Sequence, residues 1–186
     1  MIPFDLGNQV VHISQEFLNR YNRQGPRYTS YPTAPEWTTD IGVNDYAHAL
    51  KTEIPADQQL TFYAHIPFCE RPCYFCGCNT VITQKRGLAD VYLDSLEREI
   101  ASIARTLDGR GKIVQIEWGG GTPTYLNPDQ IIRLFRAIEK KFKIDSDAEI
   151  SIEVHPNVTT DEHILTLREL VKSPAMSLPA RSFIWK

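Results

Sequence analysis

Apolar residues follow two different spacings over the last two thirds of the chain. Short apolar runs at residues 60–66, 113–118 and 150–154 predict three buried strands. Apolar residues three and four positions apart predict helices over 88–107, from 128 onward and from about 160. Because each strand is followed by a helix, we expect an α/β fold built on a parallel sheet or barrel, with helices covering one outer side.

Two short motifs predict where helices begin. Asn127 followed by Pro128 combines a favoured capping residue with a proline that suits the first helical position. Thr159 and Glu162 have the spacing of a capping box, in which each side chain bonds the backbone N–H of the other residue. We therefore expect Thr159 to cap the last helix.

The two ends of the chain lack this periodicity, and we divide the chain accordingly. Residues 1–59 form an amino-terminal extension, whose proline-rich stretch 25–37 predicts extended structure packed on a surface. Residues 60–170 carry the strand and helix pattern. Residues 171–186 show neither a strand period nor a helix period.

The composition and net charge of the chain exclude some classes of binding partner. The chain has 186 residues, enough for one core with a small appendage, and its net charge of -3 provides no basic field for nucleic acid. No apolar run approaches the roughly 20 residues that a membrane helix needs. Residues 1–7 lack the basic and apolar regions of a signal peptide. We expect a cytoplasmic protein that binds neither nucleic acid nor membrane.

All four cysteines of the chain lie close together. Cys69, Cys73 and Cys76 have the spacing C-x3-C-x2-C, which lets one loop aim three thiolates at a common point. Thiolates hold iron–sulfur clusters, and three ligands would leave one iron of a 4Fe-4S cluster open to a small molecule. A zinc site with Cys78 as fourth ligand and a set of disulfides remain open alternatives. We favour the cluster because structural zinc sites commonly use two separated pairs and disulfides belong to secreted proteins.

The cysteine spacing, with the aromatic Phe75 directly before Cys76, resembles the signature of radical S-adenosylmethionine (SAM) enzymes. The stretches 63–69, 73–79 and 25–33 resemble the oxygen-independent coproporphyrinogen III oxidase family more narrowly. The resemblance implies a partial (β/α)6 barrel, of which this chain would form about three βα units, and an amino-terminal extension that acts as a substrate-side arm. It also implies two cofactors: a 4Fe-4S cluster held by Cys69, Cys73 and Cys76, and SAM, of which the family binds two molecules.

The resemblance implies SAM contacts in the loops at the carboxyl ends of the strands, where working residues of such barrels lie. The residues that match the family's SAM contacts are Tyr63, Phe75 (near the second SAM), Gly120, Gly121, Thr122 and Glu153. No residue is assigned a catalytic role beyond the cluster and SAM. Cys78 is not assigned as a ligand, and His155 stands where the family has aspartate. Arg27 is either a contact to a substrate propionate or a structural ion-pair partner.

The implied reaction is the oxygen-independent oxidative decarboxylation of coproporphyrinogen III propionates to vinyl groups, which gives protoporphyrinogen IX in haem biosynthesis. An electron donor for the cluster would be a partner, and the family implies a monomer. Another radical SAM enzyme, a haem chaperone of the same family and a non-catalytic metal-binding module are alternatives. The resemblance runs from about Gln24 to Leu170. We therefore expect residues 171–186 to come from a shifted reading frame and this chain alone to be inactive.

Overall fold

The computed structural model describes residues 2–5, 10–22, 36–74, 76–171 and 182–185. The chain divides into two compact units between Gly42 and Val43. In the first unit, strands β1 (Ile2–Asp5) and β2 (Val10–Ile13) pair antiparallel. Helix α1 (Gln15–Tyr21) follows, capped by the Ser14 hydroxyl, which accepts a hydrogen bond from the N–H of Phe17. Arg27 and most of the proline-rich stretch lie outside the described residues.

The second unit is built on a parallel sheet. Its elements in chain order are α2 (Val43–Thr52), β3 (Gln59–Ile66), β4 (Phe68–Cys69), β5 (Val81–Ile82), α3 (Gly87–Leu107), β6 (Lys112–Gly120), α4 (Pro128–Glu139), β7 (Ile144–Val154), α5 (Asp161–Val171) and β8 (Ser182–Trp185). Strands β3, β6, β7 and β8 form one sheet in that order, and every neighbouring pair is parallel. Strands β4 and β5 pair separately, also in parallel. The predicted α/β fold is confirmed.

The two faces of the sheet differ because side chains alternate along each strand. Ala64, Trp118 and Ile152 are aligned across β3, β6 and β7, and all three are buried. They belong to a core whose members from the helices include Leu93, Ile100, Ile131, Leu134, Ile138 and Leu167. Tyr63 lies on the opposite face and is 52% exposed. The run 60–66, predicted as a buried strand, is therefore buried on one face only.

Helix α4 begins where the sequence predicts. The side chain of Asn127 accepts a hydrogen bond from the N–H of Gln130 (2.8 Å), and the Gln130 side chain accepts one from the N–H of Asn127 (3.0 Å). This capping box satisfies two of the N–H groups that a helix start leaves without partners.

Within the described ranges, no helix is both long and apolar enough to cross a membrane.

Helix α5 begins one residue later than expected. Thr160 occupies the capping position: its hydroxyl accepts from the N–H of His163 (3.4 Å), while Nδ1 of His163 accepts from the N–H of Thr160 (3.1 Å). The expected capping box of Thr159 with Glu162 is wrong. The Thr159 hydroxyl instead lies 2.9 Å from the carbonyl oxygen of His155 and 2.9 Å from Oγ1 of Thr124, the latter a contact between distant parts of the chain.

Strand β7 begins six residues before the predicted run 150–154. The sequence Asp-Ser-Asp at 145–147 is typical of turns and hides the strand. Asp145 forms an ion pair with Lys112 on β6 (2.5 Å), and its carboxylate accepts the N–H of Asp147 (2.9 Å). The register between β6 and β7 shifts at this point, so the early residues of β7 form a bulged start to the strand.

The guanidinium of Arg110 ties α2 to the end of α3. It donates hydrogen bonds to the carbonyl groups of Leu50, Lys51, Ile54, Thr106 and Leu107. The last carbonyl groups of a helix have no hydrogen-bond donor within the helix. Arg110 provides donors for such groups at the ends of both α2 and α3. Helix α2 therefore groups with the second unit, whereas we expected the extension to run to residue 59. Residues that are 60 positions apart make this contact, which a local pattern does not reveal.

The carboxyl-terminal tail forms a strand that the sequence did not predict. Ser182–Trp185 extend the sheet as β8, in parallel register with β7 from the pair Ser151 and Ser182 to the pair Val154 and Trp185. The expectation that 171–186 contains no strand is therefore wrong, because four residues are too few for a period to be recognised. The origin of the tail in a shifted reading frame stays a prediction.

Replacing the capping residue of α4 tests how far this helix depends on its first turn. We expect Asn127→Ala to lower the free energy of unfolding by about 1 kcal/mol, because the N–H of Gln130 loses its acceptor. Asn127→Asp keeps an acceptor oxygen, so its free energy of unfolding should stay within about 0.5 kcal/mol of the parent. Urea unfolding monitored by circular dichroism measures both, and equal losses in the two variants would contradict the capping role.

Candidate active site at the carboxyl ends of the strands

The carboxyl ends of β3, β6 and β7 meet at one edge of the sheet, since neighbouring strands run parallel. A cavity of about 830 Å³ lies there. Its volume falls within the roughly 300–1,000 Å³ of sites that bind small molecules. Seven of the predicted site residues line it: Cys69, Cys73, Cys76, Gly120, Gly121, Thr122 and Glu153. The sequence therefore predicted correctly which loops come together.

The loop that carries the cysteines is closed at its base by backbone hydrogen bonds. The N–H of Val81 donates to the carbonyl of Pro67 (2.7 Å), and the N–H of Thr83 donates to the carbonyl of Cys69 (2.9 Å). These bonds join the two arms of the loop through the short β4–β5 pair. Cys69 is buried at the base, while the other three cysteines are exposed on the loop. None of the four cysteines, all of which the structure describes, forms a disulfide.

The surroundings of Cys69 disfavour its thiolate as long as no cation is bound. Its Sγ lies 3.4 Å from the hydroxyl oxygen of Thr122. Burial raises the pKa of the Cys69 thiol, the hydrogen bond with Thr122 partly offsets this, and the charges of the neighbouring cysteines add to it. Metal ligation requires the deprotonated thiol, so a bound cation would supply the missing charge.

The donor set fits an iron–sulfur cluster in its chemistry. Three thiols at C-x3-C-x2-C open on one cavity, and cysteine thiolates are the ligands of such clusters. Among the residues that the structure describes, no three Cys, His, Asp or Glu side chains converge on a point that could hold a single metal ion. Cys73 and Cys76 are exposed on the loop, and ligation would draw them towards Cys69.

Gly120, the last residue of β6, and Gly121, which follows it, make close contacts with β3 and the cysteine loop. A Cβ at Gly121 would lie 2.7 Å from the carbonyl oxygen of Pro67 and 2.9 Å from Sγ of Cys69. Gly120 has a φ of +111°, and a Cβ there would lie 2.7 Å from the ring of His65. At Gly121 a side chain would require a shift of the backbone, and at Gly120 it would require a shift of the His65 ring and a strained positive φ. We expected these glycines to let a ligand approach, and the structure adds a second reason for them.

The N–H groups of this glycine loop already have partners. Gly121 donates to the carbonyl of Ile66 (2.8 Å), and Thr122 donates to the carbonyl of Phe68 (2.9 Å). Gly120 donates to Oε2 of Glu153 (3.2 Å). The loop is thus fixed on both sides, against the cysteine loop and against the end of β7. Glu153, predicted as a SAM contact, has its carboxylate oriented by this bond.

Tyr63 and His65 lie beside the cavity on β3. Nε2 of His65 lies 2.8 Å from the carbonyl oxygen of Asn79, which can only accept, so Nε2 carries the proton. Nδ1 of His65 then accepts from the hydroxyl of Tyr63 (3.1 Å). Tyr63 lines a neighbouring cavity of about 350 Å³, not the one with the cysteines. Its role as a SAM contact stays a prediction, and Phe75 lies outside the described residues.

Thr124 links two loops that border the cavity, and reasoning from the sequence missed it. Its side chain is fully buried, and its hydroxyl oxygen lies 2.9 Å from the Thr159 hydroxyl and accepts from the N–H of His155 (3.5 Å). These bonds connect the loop after β6 to the loop after β7. The only signal in the sequence is the polar residue between Pro123 and Tyr125, which by itself does not indicate a partner.

Comparisons with known proteins agree with this geometry. The family model of the radical SAM superfamily matches residues 63–181, past Leu170 where the resemblance was expected to end. The chain is 50% identical over 148 residues to the oxygen-independent coproporphyrinogen III oxidase of Escherichia coli. It is 48% identical over 139 residues to the protein of the same name from Mannheimia haemolytica, of which it covers 93%. The chain belongs to the oxygen-independent coproporphyrinogen III oxidase family of the radical SAM superfamily.

The match to this radical SAM family holds in three dimensions as well. The solved structure of coproporphyrinogen III oxidase from Escherichia coli, described as a radical SAM enzyme, has a TM-score of 0.72 and 42% identity over 82% of this chain. The chain covers 33% of that structure and 32% of the Escherichia coli relative's sequence. A relative from Synechocystis is 42% identical over 87% of this chain and is covered to 34%. This chain thus spans about a third of these longer family members.

The tight contact at Gly121 can be tested by adding one methyl group. We expect Gly121→Ala to lower the free energy of unfolding by about 1–3 kcal/mol, because the new Cβ overlaps the Pro67 carbonyl and the Cys69 sulfur. Gly77→Ala, in the cysteine loop, is the matched control because a Cβ there meets nothing within 4 Å. Chemical unfolding of both variants measures the difference. A Gly121→Ala variant as stable as Gly77→Ala would refute the close packing of the two loops.

Proposed function

We propose that this chain carries the part of an oxygen-independent coproporphyrinogen III oxidase that binds the 4Fe-4S cluster and SAM. The reaction it would serve is the oxidative decarboxylation of coproporphyrinogen III to protoporphyrinogen IX in haem biosynthesis. The observation that carries the proposal is that three cysteines, the glycine loop and Glu153 line one cavity. The activity for which the relatives are named supports the choice of substrate.

In this proposal each loop has a separate task. Cys69, Cys73 and Cys76 hold the cluster, with Cys69 set in the wall and the other two supplied by the exposed part of the loop. Once bound, the cluster and SAM supply the one-electron and hydrogen-abstraction chemistry, which the protein itself does not perform. Cys78 is left outside the ligand set, and an external electron donor is required.

The glycine loop and Glu153 would bind SAM. A carboxylate accepts hydrogen bonds from the hydroxyl groups of a nucleoside, and Glu153 is already oriented by the N–H of Gly120. Gly120, Gly121 and Thr122 place backbone close to the ligand because side chains are absent or short. Tyr63 and Phe75 complete the proposed set of contacts, the latter beside a second SAM molecule.

Reconstitution without oxygen tests the cluster directly. Treated with iron and sulfide, the purified chain should turn brown and contain iron with acid-labile sulfide. Replacing Cys69, Cys73 and Cys76 by alanine one at a time should abolish cluster binding in each case, whereas Cys78→Ala should retain it. Iron and sulfide assays with electron paramagnetic resonance of the reduced protein measure this. A chain that takes up about one zinc and no sulfide would instead support the metal-binding module.

A single carboxylate substitution tests the proposed SAM contact. We expect Glu153→Gln to raise the dissociation constant of SAM for the reconstituted protein about tenfold, because hydrogen bonds to a charged group are the stronger kind. Glu149→Gln is the control: it alters an exposed carboxylate on the same strand that does not line the cavity. Isothermal titration with SAM measures both. Equal affinity in the two variants would remove Glu153 from the site.

A further inference from the structure

A side-chain contact ties the cysteine loop to the loop after β6. The guanidinium of Arg86 forms an ion pair with the carboxylate of Glu70, the residue that follows Cys69. The same guanidinium donates to the carbonyl of Tyr125 and lies over its ring, 4.0 Å from the centroid. Glu70 also lines the cavity. One cation thereby joins the chain immediately after the first cysteine to the turn immediately after Thr122.

Helix stability does not explain an arginine at this position. Arg86 is the capping residue at the amino-terminal end of α3, and its side chain makes no capping hydrogen bond. A cation is unfavourable there, because the helix dipole places positive charge at that end. Serine, threonine, asparagine or aspartate would cap the helix better. The identity of residue 86 is accounted for by its contacts with Glu70 and Tyr125.

Global stability does not explain the pair either. The side chains of Arg86 and Glu70 are 50% and 39% exposed, and exposed ion pairs contribute little to the free energy of unfolding. Their effect is local, since the backbone bonds of the β4–β5 pair stop at Cys69 and Thr83. Beyond these residues, the ion pair is a further tie between the segment after Cys69 and the segment after Thr83.

The charges of Arg86 and Glu70 would also affect a cluster bound in the cavity. Three thiolates would gather negative charge in the cavity, and the carboxylate of Glu70 adds to it. Arg86 offsets that carboxylate without entering the proposed ligand set. The reduction potential of an iron–sulfur cluster depends on the net charge around it. Removal of the cation should therefore lower the potential, and removal of the carboxylate should raise it.

We propose that Arg86 and Glu70 are positioning residues for the iron–sulfur site: they hold the chain at Cys69 against the Tyr125 turn and balance charge beside the cluster. The charge part rests on the proposed function, whereas the positioning part concerns the protein without cofactor. The two parts predict different experimental results. Loss of either Arg86 or Glu70 breaks the same ion pair and frees the chain at Cys69. The two losses change the net charge beside the cluster in opposite directions.

The positioning part is tested on the cofactor-free protein by the rate at which iodoacetamide alkylates each cysteine, followed by mass spectrometry. Arg86→Gln and Glu70→Gln should each speed alkylation of buried Cys69 about fivefold and leave the exposed Cys73 unchanged. Arg133→Gln is the matched control, because Arg133 also contacts two carboxylates, Asp94 and Glu97, but lies away from the cavity. Cys69 rates equal to those of Arg133→Gln would overturn the positioning role.

The charge part is tested by redox titration of the reconstituted variants. The midpoint potential should fall in Arg86→Gln, rise in Glu70→Gln and stay unchanged in Arg133→Gln. Arg86→Lys keeps the charge but loses the planar fork, so it should speed Cys69 alkylation without shifting the potential. Potentials that shift in the same direction in both glutamine variants would overturn the charge role. If the parent chain takes up no cluster, the proposed function fails, while the alkylation rates still decide the positioning role.

Discussion

The site depends on the close approach of two backbone segments. At Gly121 the chain passes so near Pro67 and Cys69 that even a methyl group has no room. Hydrogen bonds from the N–H groups of Gly121 and Thr122 cross the gap to the end of β3 and to β4. The contact places the first cysteine beside the Thr122 hydroxyl and directs the rest of the cysteine loop to the same cavity. Any bulk at this point would separate the two loops whose meeting defines the site.

Elements with a regular apolar period could be predicted from the sequence. Strands β3 and β6 and helix α3 lie within two residues of the predicted ranges, and α4 begins at the predicted residue, because their spacing reflects which face is buried. The errors arise where polar side chains have a choice of partner. Thr159 could cap a helix in principle, but it bonds Thr124, and Asp145 belongs to a strand although its neighbours favour a turn. Distant partners decide such cases, and a local pattern does not contain them.

The residues of the candidate site also fall into two groups: those that a local motif indicates and those that depend on a distant partner. That the cysteines, the glycines and Glu153 lie around one cavity could be predicted because they occur in short motifs at strand ends. No local motif indicates the roles of Arg86 and Thr124, since each contacts a partner more than 30 residues away. His65 likewise holds neighbouring segments together through its bonds to Tyr63 and to the carbonyl of Asn79. Sequence motifs thus indicate which groups line the cavity, whereas the groups that hold them in place become visible only in three dimensions.

The order in which the walls of the cavity are synthesised has a consequence for assembly in the cell. Eighty-four residues separate Cys69 from Glu153, so the ribosome takes about 4–17 s to add the last wall after the first cysteine. Until then the thiols sit on a nascent chain in which β7 has not yet paired with β6, and non-local pairing of this kind is slow. The thiols are therefore present before the site around them is complete, which leaves them exposed during translation. Delivery of iron and sulfide by a dedicated donor after the third strand is in place would avoid that exposure.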